Sequence, residues 1–181
     1  KNRNMGYGTA ITKFLIDAVD LHTYSTIYLD ATEMGYPVYE KLSFKLEMPY
    51  AHLKADKPFA EQRISNAVIP YTNGYLQELL AMDRSVSAED RTDTITEHLQ
   101  SAMLYVNGNS LEGYDAAGIE LMNYRLQQYD FAVLPEANTT GINYLQQQNL
   151  VQFRISRRMY LGKKRNWLAS QIYNRISGQL G

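Results

Sequence analysis

The sequence contains no cysteine. That removes disulfide frameworks, thiolate zinc sites and a cysteine nucleophile together, and it fits a reducing compartment. No apolar run approaches the roughly 20 residues of a membrane span. No secretory signal is visible, in a chain whose first residue is Lys1. Net charge is also scarce: 18 basic and 19 acidic residues leave −1, which argues against a nucleic-acid-binding surface as the main purpose. His22, His52 and His98 have no ligand spacing, so surface or capping roles are expected for them, and no metal.

What is present is ordinary for a globular chain. Apolar residues make up 45% and charged residues 20% of 181 positions, enough for one domain or two small ones. The 15 tyrosines read mainly as amphipathic packing residues.

The chain opens on a glycine-spaced turn, "RNMGYGTA", Arg3 to Ala10, running into a helix. Ile11, Phe14, Leu15, Ala18, Val19 and Leu21 have helical spacing and predict one buried stripe. Ser25 to Ala31 predicts a strand. Gly35 and Pro37 then open a short helix, and Phe44 to Met48 alternates as a half-buried strand. Pro49 to Ala60 reads as a connection with no period, and the domain boundary is placed there.

Beyond it the pattern predicts a strand at Ile64–Pro70 and a helix capped by Asn73. A capping box formed by Ser87 and Asp90 should start another helix. Ala102–Val106 is a strand leading into the hairpin turn Asn107–Ser110, with a return strand at Leu111–Tyr114. A helix at Asp115–Gln127, a strand at Phe131–Leu134, a helix at Thr139–Gln147 and a strand or strand pair at Val151–Leu161 follow. Arg165 to Ile176 predicts a terminal helix. Arg154, Arg157, Arg158, Lys163, Lys164 and Arg165 read as a solvated strand face.

Two segments share the order helix, strand, short helix, strand. At an offset of 106 residues, "DATEMGYPVYEKLSF" from Asp30 falls on "EANTTGINYLQQQNL" from Glu136, with Gly35 on Gly141 and Phe44 on Leu150. Duplication is one reading and ordinary α/β recurrence the other. The glycine loop has no counterpart in the second segment, and Tyr39 becomes Leu145.

The opening loop suits an anion. The first N–H groups of a helix lack partners and point outward, with the helix dipole behind them. Gly6 and Gly8 allow close backbone approach, and Arg3 can add a charged hydrogen bond to a phosphate oxygen. The alternative is a helix start whose glycines only ease a turn. No Gly-Lys-Ser/Thr follows, so this is not a P-loop.

Together, "RNMGYGTA" and "LDATEMGYPVYEKLSF" (Leu29 to Phe44) resemble the GCN5-related N-acetyltransferase (GNAT) family. The first matches that family's Arg/Gln-x-x-Gly-x-Gly/Ala signature and the second its "alYeklGF" helix and strand, departing at Ser43, where the family usually has glycine. Looser matches at Ala81–Arg91, Glu112–Tyr114, Leu134–Leu145 and Arg157–Gly162 resemble a further acetyltransferase-like domain that follows the catalytic one in some bacterial members.

The resemblance implies a mixed α/β (α+β) fold of tandem GNAT-like domains, the first N-terminally incomplete in this chain. Its expected divisions are 1–50 for the C-terminal part of a catalytic domain, 51–62 for a linker and 63–181 for a degenerate second domain. Residues are also expected to be missing at Tyr114–Asp115. The implied activity is N-acetylation of a primary amine of a small molecule or peptide, in the cytoplasm, with acetyl-CoA as co-substrate and no metal.

The implied cofactor contacts are Arg3, Asn4, Met5, Gly6, Tyr7, Gly8, Thr9 and Ala10, with Gly35 and Thr32 on the next helix; Thr32 stands where many members have asparagine. Tyr39 is implied as the general acid that protonates the leaving thiolate. Its alternative role is packing on the loop. The general base is expected before Lys1 or as a water chain. No nucleic acid and no membrane are expected as partners, and a homodimer is a candidate assembly. The alternative function is a non-catalytic acyl-CoA-binding or regulatory module. Transfer to an alcohol, or from a longer acyl donor, is a further rival.

Overall fold

The computed structural model describes residues 6–20, 22–56 and 63–174. Its regular elements are α1 (Tyr7–Ala18), β1 (Thr26–Ala31), α2 (Tyr36–Lys41), β2 (Lys45–Ala55), β3 (Val68–Pro70), α3 (Leu76–Ser87), α4 (Thr92–His98), β4 (Met103–Asn107), β5 (Ser110–Glu112), α5 (Asp115–Leu126), β6 (Phe131–Pro135), α6 (Thr139–Gln147) and β7 (Leu150–Gly162), with short 3-10 turns between some of them. One sheet has the order β1-β7-β2-β6 and a second the order β3-β4-β5. Contacts divide the chain into two units. Among the described residues one comprises those up to Tyr50 with Ile155–Lys164, and the other Ala51–Arg154 with 165–174. β2 and β7 therefore each begin in one unit and end in the other.

In the first unit β1 pairs antiparallel with β7, from Thr26 opposite Gly162 to Ala31 opposite Arg157. Ala31, Phe44 and Met159 are buried together, and Ile16, Ile27, Leu29, Tyr36, Tyr39, Leu42 and Leu161 pack against them. Pro37 stands in the first turn of α2, where its missing N–H leaves no helical bond unmade.

α2 stops in a Schellman turn. The N–H of Phe44 donates to the Tyr39 carbonyl at 3.1 Å and that of Ser43 to the Glu40 carbonyl at 3.0 Å. The Tyr39 and Phe44 rings meet edge to face at 5.9 Å, supplying the apolar contact that accompanies such a stop. Ser43 pays for this geometry with φ 68°, the left-handed region that glycine adopts freely.

In the second unit Ala51, Leu53, Met122, Leu126, Ala132, Leu134, Leu145, Leu150 and Tyr173 form the buried cluster. Here α6 repeats features of α2. The Asn138 side chain accepts from the Gly141 N–H at 2.8 Å, as the Thr32 hydroxyl accepts from the Gly35 N–H at 3.2 Å. Asn149 sits at φ 65°, as Ser43 does at 68°. In the strands the match shifts by one residue: Leu29 and Leu134 both face their clusters, an offset of 105, since 134 − 29 = 105.

Several expectations are corrected. Residues 51–55, expected to begin a linker, continue β2, and Ala51, His52 and Leu53 are buried. Burial on both faces abolishes the alternation that marks a strand. Residues 57–62 lie outside the described part. Residues 155–164, expected within the second domain, group with the first unit. Ser87 ends α3 instead of opening α4, and the Asp90 carboxylate accepts from the Thr92 N–H at 3.2 Å. The described part of the expected terminal helix is irregular but for a 3-10 turn at Ala169–Gln171, because its polar groups bond to other elements.

Replacing Ser43 with glycine removes the left-handed strain, and Ser43→Gly is expected to raise stability by about 1 kcal/mol. The check is a higher urea midpoint at unchanged m-value, with a smaller gain for Asn149→Gly, because asparagine tolerates this region.

Burial raises the Tyr173 phenol above its ordinary value, and Asp115 adds to the shift. Unfolded tyrosine ionises first, so this contribution is complete below about pH 10 and declines as pH rises through the folded value. Tyr173→Phe is expected to remove that part of the alkaline fall in Tm.

Candidate functional site

The two motifs of the first unit come together through their helices. α1 contributes Ile16, α2 contributes Tyr36 and Tyr39, and Leu42 caps α2 and joins the same cluster. Gly6 caps α1 with φ 77° and ψ −1°, and its carbonyl accepts the Ala10 N–H at 3.0 Å. Among the described residues no side chain caps this end and no acidic residue stands in the first turn, so no described carboxylate offsets the first N–H groups and the dipole. A Cβ built at Gly6 or Gly8 would meet nothing within 4 Å. Positive φ accounts for glycine at Gly6. Neither φ nor packing among the described residues demands it at Gly8, which leaves room for a group outside the protein. Tyr7 and Ala10 are exposed at this end, and Thr9 is half-buried. Arg3, Asn4 and Met5 lie outside the described residues.

The other named residues have definite local roles. The Thr32 carbonyl accepts from Gly35 and Tyr36 at 3.0 and 2.9 Å, so Thr32 holds the turn into α2. Its hydroxyl accepts from Gly35 and keeps a proton to donate. At Gly35 a Cβ would lie 3.1 Å from Cε2 of Tyr39 and 3.4 Å from Thr32 Oγ1, so the glycine makes space for the tyrosine ring. Tyr39 is half-buried, fixed by the Schellman turn and Phe44, and no hydrogen-bond partner for its hydroxyl is found among the described residues. Beside it, Arg157 lies over the Tyr36 ring at 5.2 Å, and a hydrogen bond to Glu40 raises the Tyr36 phenol.

The apolar side of α1 departs from expectation. Tyr7, Ile11, Phe14 and Leu15 are 56, 61, 72 and 59% exposed, and the helix buries no residue fully. Nothing among the described residues covers that side.

The basic cluster is a solvated face only in part: Arg154, Lys163 and Lys164 are exposed, Arg157 and Arg165 are half-buried and Arg158 is buried. Arg158 and Glu47, with side chains only 7% and 0% exposed, form an ion pair at 3.3 Å. Arg158 lies over the Tyr28 ring at 4.8 Å, and the Ser156 hydroxyl donates to Asp30 at 3.1 Å. Arg165 pairs with Glu89 at 2.6 Å and lies 3.9 Å from the Trp167 ring centre. Nor is His52 a surface residue: it is buried, with an Arg154 nitrogen 3.3 and 3.4 Å from its two ring nitrogens. Sequence patterning missed these groups because an arginine in a strand carries no mark of its partner. Among the described residues no cluster of metal-ligating side chains forms, and no helix is long and apolar enough to cross a membrane.

No protein-family model matches the sequence, and no curated protein does. Solved structures share the fold. A protein of Pyrococcus horikoshii, named as a candidate acetyltransferase, superposes with a TM-score of 0.80 at 18% identity over 99% of this chain and 68% of its own. A GCN5-related N-acetyltransferase of Sphaerobacter thermophilus gives a TM-score of 0.52 at 10% identity over 93% of this chain and 72% of its own. The chain thus has the mixed α/β fold of the GCN5-related acetyltransferases.

Glu47→Gln removes a buried carboxylate paired with buried Arg158 and is expected to cost about 3 kcal/mol in chemical denaturation. Glu47→Leu combined with Arg158→Met should lose less than Glu47→Gln alone, because both charges leave together.

Proposed function

We propose that the first unit binds acetyl-CoA and transfers its acetyl group to a primary amine of a small molecule or peptide. The observation that carries this is the start of α1: a left-handed Gly6, open space before Gly8 and no acid in the first turn, on a helix that shares its cluster with Tyr39. These residues fit a diphosphate, held by backbone N–H groups with Arg3 adding charge. The shared fold supports the reading.

The thioester supplies the acetyl group. The amine must lose a proton, to a base outside the described residues or to water, before its nitrogen forms the new bond to the carbonyl carbon. As the carbon–sulfur bond breaks, the Tyr39 phenol gives its proton to the departing sulfur, both groups having comparable basicity. The Schellman turn holds that phenol in place, and its hydroxyl is engaged by no described residue.

The second unit is read as a degenerate copy of the first. The paired turns at Thr32 and Asn138, and the left-handed Ser43 and Asn149, support duplication. The catalytic part is then 1–50 completed by 155–164, and the degenerate part lacks both the glycine loop and the tyrosine. It serves to shape the acceptor pocket or to join two copies. The cytoplasm is the compartment this reading implies.

Calorimetric titration of acetyl-CoA into the wild type should show binding, and Gly8→Glu should abolish it. Tyr39→Phe should lower kcat by at least about tenfold while leaving acetyl-CoA affinity unchanged. No binding to the wild type overturns the proposal. Binding with no turnover against a panel of amines would favour the non-catalytic module.

A further inference from the structure

The last described stretch, 165–174, forms almost no regular structure yet is fixed at successive residues. Arg165 donates to the Ser87 carbonyl at 3.3 Å, and the Leu168 N–H donates to the Val86 carbonyl at 2.9 Å. Three further contacts then follow on three consecutive residues. The Ile172 carbonyl accepts from Asn138 Nδ2 at 2.9 Å. The Tyr173 ring lies on Gly118, where a Cβ would come within 2.5 Å of it. The Asn174 side-chain oxygen accepts from the Val133 N–H at 3.1 Å.

Those contacts come from the cap of α6, from α5 and from β6, all within the second unit. Each is what a groove uses to hold an extended peptide: a buried amide for a main-chain carbonyl, a notch for an aromatic anchor and a strand N–H for a further acceptor. Ile172 itself has extended backbone, φ −93° and ψ 110°. Asn138 is 1% exposed and divides its amide between Gly141 and Ile172, so the groove's polar end is built and buried. Gly118 lies inside α5 without positive φ. Glycine there weakens the helix relative to alanine, and the ring it admits gives it a reason. In the first unit Thr32 makes the corresponding bond to Gly35, and no described segment lies against its side chain as Ile172 lies against Asn138.

We propose that the groove between α5, β6 and α6 is a binding site for an extended peptide, which this chain fills with its own residues 172–174. The ligand it reads has a main-chain carbonyl, then an aromatic ring, then a side-chain amide on successive residues. This inference does not depend on acetyl transfer in the first unit.

The test uses a synthetic peptide spanning Leu168–Asn174, acetylated and amidated at its ends, titrated into the full chain. The Tyr173→Ala/Asn174→Ala variant should bind about one equivalent. The wild type, whose groove is filled, should bind at least tenfold more weakly. No binding by a folded variant, or equal binding by both proteins, overturns the proposal. If the variant does not fold, hydrogen exchange on the wild type decides. A releasable tail frees the Val133 amide without unfolding, so it should exchange at least tenfold faster than the amide of buried Leu145 in α6. Equal rates would make residues 172–174 an inseparable part of the core and overturn the proposal.

Discussion

Neither hydrophobic cluster is closed by one continuous half of the sequence. Met159 and Leu161 come from β7 to complete the first, and Ala51 and Leu53 come from β2 to complete the second. Burial of apolar surface is the main driving force available, so the first unit depends on a strand supplied from beyond the whole of the second's main segment. Ile27 must find Leu161 across most of the chain before the first unit gains its sheet. Such pairings are entropically expensive early and rewarding late, which makes folding slow relative to a chain of local contacts.

The candidate site inherits its precision from that arrangement. Tyr39 is held by the end of its own helix, by Phe44 and by a cluster that includes Met159. Among the described residues the glycine-opened helix joins the same cluster through Ile16. Among the described residues one motif is therefore deeply anchored and the other lightly, an arrangement that would suit the proposed site, with a rigid group beside a loop open to a ligand. Buried charge adds specificity on the same strands. Glu47 and Arg158 are costly to desolvate and satisfied chiefly in one strand register, so the pair disfavours alternatives more than it adds net stability.

Local elements were legible in the sequence wherever one signal dominated. The helix at α6, the hairpin turn between β4 and β5 and the proline-opened α2 all lie where spacing and turn chemistry place them. The left-handed backbone at Ser43 explains why the resemblance expects glycine there, although serine hides the signal. Illegible were the features decided by distant partners. β2 runs past Pro49 because residues from Tyr50 to Leu53 are buried, and a run without alternation looks like no strand at all. Leu168 and Ile172 have helical spacing, but the backbone near them bonds to Val86 and Asn138 instead. Gly35 was read for a ligand, and the structure also gives it a neighbour, the ring of Tyr39.

The exchange of strands bears on inheritance. Proteins built from independent repeats can gain, lose or trade a copy, because each copy buries its own core. Here residues 155–162 of β7 are encoded after the second unit's main segment and group with the first unit, while residues 51–55 continue a strand begun in the first unit and group with the second. A lineage that discarded either half would strip a buried strand from the one it kept. The two halves can diverge in loop, tyrosine and tail, but they are bound to travel as one gene.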